Sequence, residues 1–257
     1  MKDLLTCQMI SKKKFYCEVA GVVYEIEYSY PKTKIIFKDY IIKEPKLNDR
    51  VIKISYDERD IEKIKSFPNL STDDSLEYAC IFDKICSMLT DFDMILMHGA
   101  AIEYEGEGFI FTAPSGTGKS THIAQWKKYL GDKVIVVNGD KPELSFEGNG
   151  VLVHGAPWCG KESWQVNKSV PLKGVCLLKR GQDNKIYKIN PGEYIEYFVR
   201  QFYFDMATDD VAKVFDIIDR IMSRVPFYIL ECDISEDAAK CSFEAMTGKS
   251  WRKDNED

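Results

Sequence analysis

Apolar and polar side chains alternate along short stretches of the first part of the chain. From Val22 to Tyr28 the apolar residues fall at every second position, which predicts a β-strand with one buried face. Residues 35–37 and 51–56 predict two further strands. The charged segment 57–67 predicts a short helix that ends at Pro68. This region is therefore expected to be rich in β-structure.

A longer helical pattern follows. Ser71 stands three residues before an acidic side chain, which is typical of a helix N-cap. Apolar side chains then recur at helical spacing, and they are Cys80, Ile81, Ile85 and Met88. We expect a helix over residues 73–89.

From residue 94 onward, short apolar runs alternate with amphipathic segments. The runs predict strands at 94–97, 101–104, 108–112, 133–137, 172–178 and 227–232. Helices are expected at 119–130, 191–204 and 209–224, with a last one capped by Ser235. The pattern predicts an α/β (α+β) fold with a mixed sheet and flanking helices. We divide the chain into a β-rich N-terminal subdomain, residues 1–68, and a larger domain, residues 69–257.

Composition and charge narrow the function classes. The chain has 257 residues, 45% of them hydrophobic, and a net charge of −6, which is ordinary for a globular protein. An acidic chain is a poor partner for nucleic acid. No apolar run approaches the ~20 residues of a membrane span, and no targeting segment is recognisable, so we expect a cytoplasmic protein without a membrane partner. The 8 cysteines include no Cys-x-x-Cys pair, which favours reduced thiols over a zinc site.

The most specific motif is the glycine-rich segment Ala113–Ser120. It lies between a predicted strand and a predicted helix, and it matches a P-loop except that Ala113 replaces the first glycine. Its glycines let successive backbone N–H groups face an anion, and the helix N-terminus adds positive charge. We expect nucleotide contacts from Ser115, Gly116, Thr117, Gly118, Lys119, Ser120 and Thr121.

Two flanking segments make the motif more specific. Met97–Ala101, which contains His98 and Gly99, precedes the loop, and Val136–Asp140 follows it. In this order the segments resemble the HPr kinase/phosphorylase family and, more distantly, the ATP-dependent PEP carboxykinases. The resemblance covers about residues 94–180. It implies a PEP carboxykinase-like P-loop core within residues 69–257 that binds ATP and Mg²⁺.

The resemblance also implies roles for single residues. Lys119 would contact the β- and γ-phosphates and Ser120 would ligate Mg²⁺. Asp140 matches the second aspartate of the family's Asp-Asp pair, and it would hold the metal. His98 matches a histidine that approaches the metal or the γ-phosphate. The catalytic candidates are therefore Lys119, Asp140 and His98, and the metal candidates are Ser120, Asp140 and His98.

One departure from the family pattern concerns the catalytic base. Gly139 replaces the first aspartate of the pair, which the family is thought to use as its base. Three alternatives stay open: Asp140 takes both roles, Glu143 or His98 supplies the base, or the protein binds ATP without transferring phosphate. The family's phosphorolysis signature is not recognisable, which favours a kinase without the reverse activity.

A second glycine-rich segment follows the last of these motifs. It contains Gly155, Trp158, Cys159, Gly160 and Lys161, a composition typical of a lid or an acceptor-facing loop, or of a structural turn in which the tryptophan packs on the core. Arg180 and Arg200 are further candidates for phosphate contacts.

The sequence thus favours an ATP- and Mg²⁺-dependent kinase. Its acceptor is expected to be a Ser hydroxyl of a protein or peptide. The alternatives are a small hydroxylated metabolite as acceptor, or a non-catalytic nucleotide-binding module. Because HPr kinases form hexamers, the resemblance also makes a homo-oligomer one of the expectations, although no assembly residues can be matched.

Overall fold

The computed structural model describes residues 12–65, 70, 72–206 and 210–251. The chain forms two compact units, Met1–Ile85 and Cys86–Asp257. Within the described residues, no helix combines the length and the apolar character needed to cross a bilayer. The boundary that we placed after residue 68 precedes a long helix, and the two units divide inside that helix.

The first unit is built on a four-stranded sheet. Its elements are β1 (Lys13–Val19), β2 (Val22–Tyr28), α1 (Pro31–Ile36), β3 (Ile41–Ile42), β4 (Val51–Ile54), α2 (Glu58–Lys65) and α3 (Asp73–Leu89), the last of which extends into the second unit. The strand order is β3-β1-β2-β4, and only β2 and β4 are parallel. The predicted strand at 22–28 and the predicted helix at 73–89 are confirmed.

The strand predicted at 35–37 is wrong. Pro31 occupies the first turn of α1, where its fixed φ angle favours a helix and its missing N–H costs nothing. Phe37 then caps that helix through a hydrogen bond from its N–H to the carbonyl of Thr33 at 3.3 Å. Three consecutive apolar residues are too few to distinguish a strand from a helix. Ser71 and the predicted helix end at 66–67 lie outside the described residues.

The second unit contains ten strands and four helices in the described residues. They are β5 (Ile95–Met97), β6 (Ala100–Tyr104), β7 (Glu107–Thr112), α4 (Lys119–Leu130), β8 (Val134–Asn138), β9 (Glu143–Glu147), β10 (Gly150–His154), β11 (Ser169–Arg180), β12 (Lys185–Ile189), α5 (Ile195–Val199), β13 (Phe202–Tyr203), α6 (Val211–Arg224), β14 (Phe227–Cys232) and α7 (Glu236–Thr247). The structure is therefore a mixed α/β fold, as predicted.

The sheet of the second unit is covered on both faces. Eight of its strands follow the order β13-β5-β9-β10-β11-β7-β6-β8, and β14 pairs with β11 and β12. Alternate residues of β7 point to opposite faces: Ile110 packs in the core that contains α6, whereas Phe109 and Phe111 pack in the core that contains α4 and α7. Because both faces of these strands are buried, both sets of alternate residues are apolar. The strands therefore appear in the sequence as almost continuous apolar runs.

The strand directions bring several loops to one edge of this sheet. β7, β11 and β14 are parallel to one another, and β6 runs antiparallel to both β7 and β8. The carboxyl ends of β7, β8, β11 and β14 and the start of β6 therefore lie at the same edge. In α/β sheets this edge is the usual place for a ligand.

The helix predicted over 191–204 is only partly correct. A 3₁₀ turn at Pro191–Tyr194 leads into α5, which ends at Val199. Phe202 and Tyr203 then pair with Met97 and Leu96 of β5 as strand β13. Because this pairing joins residues about a hundred positions apart, the local pattern could not indicate it.

Candidate functional site

The glycine-rich loop connects β7 to α4 at the shared edge of the sheet. Gly116 and Gly118 adopt φ angles of +75° and +122°, which L side chains rarely adopt, and no atom lies within 4 Å of a Cβ built on either residue. Lys119 begins α4, so the N-terminal N–H groups of this helix open toward the loop. The loop has the backbone form that binds anions.

Lys119 is half-buried and points back along the loop. Its Nζ donates a hydrogen bond to the carbonyl of Ala113 at 3.1 Å and lies 3.0 Å from His98 Nε2. Burial lowers the pKa of Lys119, while the nearby carboxylate of Asp140 acts in the opposite direction. The structure therefore joins the loop to the segment before β6.

His98 is held in one orientation by polar neighbours. Its Nδ1 lies 3.2 Å from Gln201 Oε1, and its own carbonyl accepts a hydrogen bond from Thr112 Oγ1 at 2.7 Å. Burial and the charge of Lys119 lower the pKa of His98, which favours the neutral ring. A neutral ring that donates from Nδ1 to Gln201 leaves the lone pair of Nε2 facing Lys119.

Asp140 follows β8 and is positioned by Asn138. The buried Asn138 side chain accepts hydrogen bonds from the N–H groups of Asp140 at 2.9 Å and Lys141 at 2.7 Å, and donates one to the carbonyl of Ala156 at 2.9 Å. Asp140 Oδ1 then lies 3.6 Å from His98 Nε2. Lys119, His98 and Asp140, which the sequence analysis proposed together, thus form one group in the structure.

Lys141 is a site residue that the sequence analysis missed. Its Nζ contacts Asp140 Oδ2 and lies 5.7 Å from the centre of the Tyr203 ring. Burial works against the charge of Lys141, yet its contacts with Tyr203 and Asp140 outweigh burial and raise its pKa. In the sequence, the feature that could have indicated Lys141 as a site residue was its position next to Asp140. Gln201 and Tyr203 gave no signal, because their segment was predicted to be helical.

The backbone at Gly139 is covered by the second glycine-rich segment. Its N–H donates a hydrogen bond to the carbonyl of Trp164 at 2.8 Å. A Cβ at this position would lie 3.0 Å from the carbonyl oxygen of Cys159. An aspartate at residue 139 would therefore require the Cys159 carbonyl to shift by a few tenths of an ångström.

The same segment is anchored by Trp158, which is 1% exposed. Its Nε1 donates a hydrogen bond to Glu143 Oε1 at 3.1 Å, and burial raises the pKa of Glu143 to about 7. Glu143 is fully buried, so it cannot meet an acceptor in this conformation. Gly155 is also buried, and a Cβ there would collide with the carbonyl of Val166 at 1.8 Å. Trp158 and Gly155 thus serve the packing of this segment.

The exposed part of the segment lies beside Asp140. A Cβ on Gly160 would stand 3.0 Å from the Cβ of Asp140, and Lys161 is exposed to solvent. Cys159 is partly exposed. This part of the segment therefore reaches the surface next to the group formed by Lys119, His98 and Asp140.

A hollow of about 420 Å³ opens on the other side of the loop. Its walls come from the loop, from Thr121 and Gln125 of α4, and from the segments that follow β11 and β14. Arg180 ends β11 and donates a hydrogen bond from Nη2 to the carbonyl of Gly116 at 2.7 Å. Arg200 lies exposed just after α5. Of the two arginine candidates, the structure brings Arg180 to the loop.

Asp140 and Ser120 are the residues at this edge that could hold a metal ion. Asp140 supplies one carboxylate and Ser120 one hydroxyl at the start of α4. No group of three or more metal-binding His, Cys, Asp or Glu side chains occurs among the described residues. Mg²⁺ commonly takes one or two carboxylates and completes its shell with phosphate oxygens and water.

The fold and the site define a mixed α/β protein with a glycine-rich loop between a strand and a helix N-terminus. The chain belongs to the family described as "SynChlorMet cassette protein ScmC", whose model matches residues 72–238. No curated protein matches the chain.

Among solved structures, 54 chains match. One is the Hpr(Ser) kinase/phosphatase from Coxiella burnetii, to which this chain is similar with 11% identity and a TM-score of 0.34. The match covers 60% of this chain and 93% of that one. A likeness of this size gives no information about activity.

Proposed function

We propose that the protein is a kinase that transfers the γ-phosphoryl group of ATP to an acceptor hydroxyl. The observation that carries this proposal is the grouping of Lys119, His98 and Asp140 beside the glycine-rich loop. Phosphoryl transfer needs mainly positioning and positive charge around the phosphates, because its transition state is loose. The loop, Lys119 and Lys141 would supply both.

The phosphates would lie on residues 115–121, with Lys119 at the β- and γ-phosphates. The hollow beside Thr121 and Gln125 would take the nucleoside, since it opens from the first turn of α4. Arg180 would stabilise the loop there through its contact with Gly116. ATP and Mg²⁺ are thus the proposed cofactors.

Ser120 and Asp140 would hold the magnesium ion, with His98 as a third candidate. A bound Mg²⁺ neutralises charge on the phosphates that it bridges. In the structure Lys141 occupies Asp140 Oδ2, so this lysine has to leave that oxygen or share the carboxylate when a metal binds.

The acceptor side would be formed by Gly160, Lys161 and Cys159 next to Asp140. Glu143 is buried beneath Trp158 and cannot reach an acceptor, so the catalytic base would be Asp140 or His98. Alternatively, the reaction would need little assistance from a base, because its transition state is loose. We propose a Ser of a protein or peptide as acceptor, and a small hydroxylated metabolite as the alternative.

The packing at Gly139 favours a second candidate function. The chain has glycine where the family places its base, and a side chain at this position would crowd the Cys159 carbonyl. A protein with this site could bind ATP and act as a non-catalytic regulatory module.

One experiment separates the two. Wild type, Lys119→Met and Asp140→Asn are incubated with γ-labelled ATP, Mg²⁺ and either Ser-containing peptides or hydroxylated metabolites. Lys127→Met, which changes an exposed lysine of the same helix, is the matched control. The kinase proposal requires label transfer to an acceptor, or ATP hydrolysis that the acceptor stimulates, which both site variants reduce by about a hundredfold or more and the control preserves. ATP binding that needs Lys119, without any turnover, would establish the regulatory module.

A further inference from the structure

A second cluster of positive charge lies in the first unit, outside the proposed site. It surrounds a hollow of about 400 Å³ that is lined by Lys13 of β1, Lys34 of α1 and Lys38 of the turn after α1. All three lysines are exposed. None of them forms an ion pair with any residue in the described ranges.

The neighbouring lysines of the same unit behave differently. Lys14 pairs with Glu25 at 2.8 Å, Lys32 with Asp74 at 2.9 Å and Lys63 with Asp83 at 2.9 Å. The hollow therefore holds three lysines that no described acidic side chain neutralises, although the whole chain has a net charge of −6. Among the residues that the structure describes, no acidic side chain lines it.

Apolar groups complete the lining. Ile35, which is 64% exposed, stands between the lysines, and Ile41 and Pro31 also face the hollow. A large exposed isoleucine surrounded by cations suits a ligand that brings both carboxylates and an apolar side chain. Such a ligand covers Ile35 while its carboxylates meet the lysines.

We propose that this hollow binds an acidic peptide segment of a partner, with glutamate or aspartate side chains on the three lysines and an apolar side chain on Ile35. Each lysine belongs to a different element, so a ligand with several carboxylates spaced along a chain fits better than one compact anion. A nucleic acid strand would supply the charge without a matching aliphatic group. Binding here requires no nucleotide, and it is independent of phosphoryl transfer.

The test uses the full chain and a fluorescein-labelled synthetic peptide of alternating glutamate and leucine, about eight residues long, in an anisotropy titration without ATP. Lys13→Gln/Lys34→Gln/Lys38→Gln should weaken binding about tenfold or more, and Ile35→Ser should weaken it severalfold. The matched control, Lys14→Gln/Lys32→Gln/Lys63→Gln, removes the same charge from paired positions and should retain the affinity. Raising NaCl from about 0.05 M to about 0.5 M should weaken the wild-type complex.

Three results would overturn the proposal. The first is equal loss in both triple variants, which would reflect net charge alone. The second is preferential binding of a labelled single-stranded oligonucleotide, with the acidic peptide failing to compete. The third is self-association of the wild type that only the Lys13, Lys34 and Lys38 variant abolishes, which would assign the hollow to a second copy of the chain. Circular dichroism confirms that each variant is folded.

Discussion

Single residues in the second unit have pKa values that differ from their usual ones. Glu143 and His98 show this most clearly: the pKa of the carboxyl group under Trp158 is raised, and the pKa of the imidazole beside Lys119 is lowered. Burial is the main cause in both cases. Each shift leads to a measurable expectation.

The carboxyl group of Glu143 should make the protein less stable as pH rises. Its pKa is about 7 in the folded chain against an ordinary 4.5, so the folded state binds more protons than the unfolded state between these values. The free energy of unfolding therefore falls as pH increases through this window. Glu143→Gln keeps an acceptor for Trp158 and removes the titration. We expect the variant to gain about 1–3 kcal/mol relative to wild type on going from about pH 5 to about pH 8.

Urea unfolding at the two pH values measures this difference. Glu147→Gln, on the same strand but exposed, is the control and should follow the wild type. Comparing each variant with wild type at one pH cancels the contributions of His122 and His154. If Glu143→Gln shows the same pH slope as wild type, the carboxyl group is ionised throughout.

His98 should respond to the charge of Lys119. With Lys119→Met the positive charge at 3.0 Å from Nε2 disappears, so the pKa of His98 should rise. Gln201→Glu should raise it as well, because a carboxylate would then face Nδ1. The imidazole signals in an NMR pH titration give these values directly. The other two histidines are buried and have pKa values of about 3 and about 4, so they stay neutral in the range used.

The control is Lys127→Met, in which the pKa of His98 should equal that of the wild type. An unchanged pKa in Lys119→Met would show that the lysine and the imidazole are not in contact in solution.

At the scale of elements, the loop between β7 and α4 depends on its backbone conformation. Gly118 has a φ of +122° with open space around it, so an added methyl group meets a conformational penalty rather than a collision. We expect Gly118→Ala to cost about 1–3 kcal/mol of stability and to weaken the binding of a fluorescent ATP analogue. Gly150→Ala is the control: its φ is not positive, and the nearest atom to its Cβ is 3.4 Å away. Equal nucleotide affinity in both variants would contradict a role for the loop.

The elements also show which parts of the fold the sequence could predict. Helices α3 and α4 were predicted to the residue, because apolar side chains recur at helical spacing in α3 and α4 directly follows the glycine-rich loop. Strand β13 could not be predicted, since two residues become a strand only through pairing with β5. The site divides in the same way. Lys119, His98 and Asp140 lie in motifs, whereas Gln201 reaches the site through that distant pairing.

At the scale of the whole molecule, positive charge is concentrated locally in an acidic chain. The net charge is −6, yet Lys119 and Lys141 lie together at the loop and Lys13, Lys34 and Lys38 surround one hollow in the first unit. In a negative chain, grouped lysines supply the local positive charge that favours an anion. Both proposed sites therefore depend on placement rather than on overall charge.

The division into two compact units predicts that they can be destabilised separately. Glu77 of α3 is buried in the first unit and accepts hydrogen bonds from the N–H groups of Ser29 and Tyr30 and the hydroxyls of Thr33 and Tyr56. Glu77→Gln places an amide N–H against these donors, so we expect a loss of about 2–4 kcal/mol in that unit. All 4 tryptophans lie between residues 126 and 251, so their fluorescence reports on the second unit only.

Urea unfolding followed with two probes makes the test. Circular dichroism, which reports on both units, should show Glu77→Gln unfolding at lower urea than wild type, while tryptophan fluorescence should change much less. Glu58→Gln, an exposed position on α2, is the control and should match the wild type by both probes. Equal shifts by the two probes would mean that the units unfold as one cooperative body, because loss of the Glu77 contacts would then be felt throughout the chain.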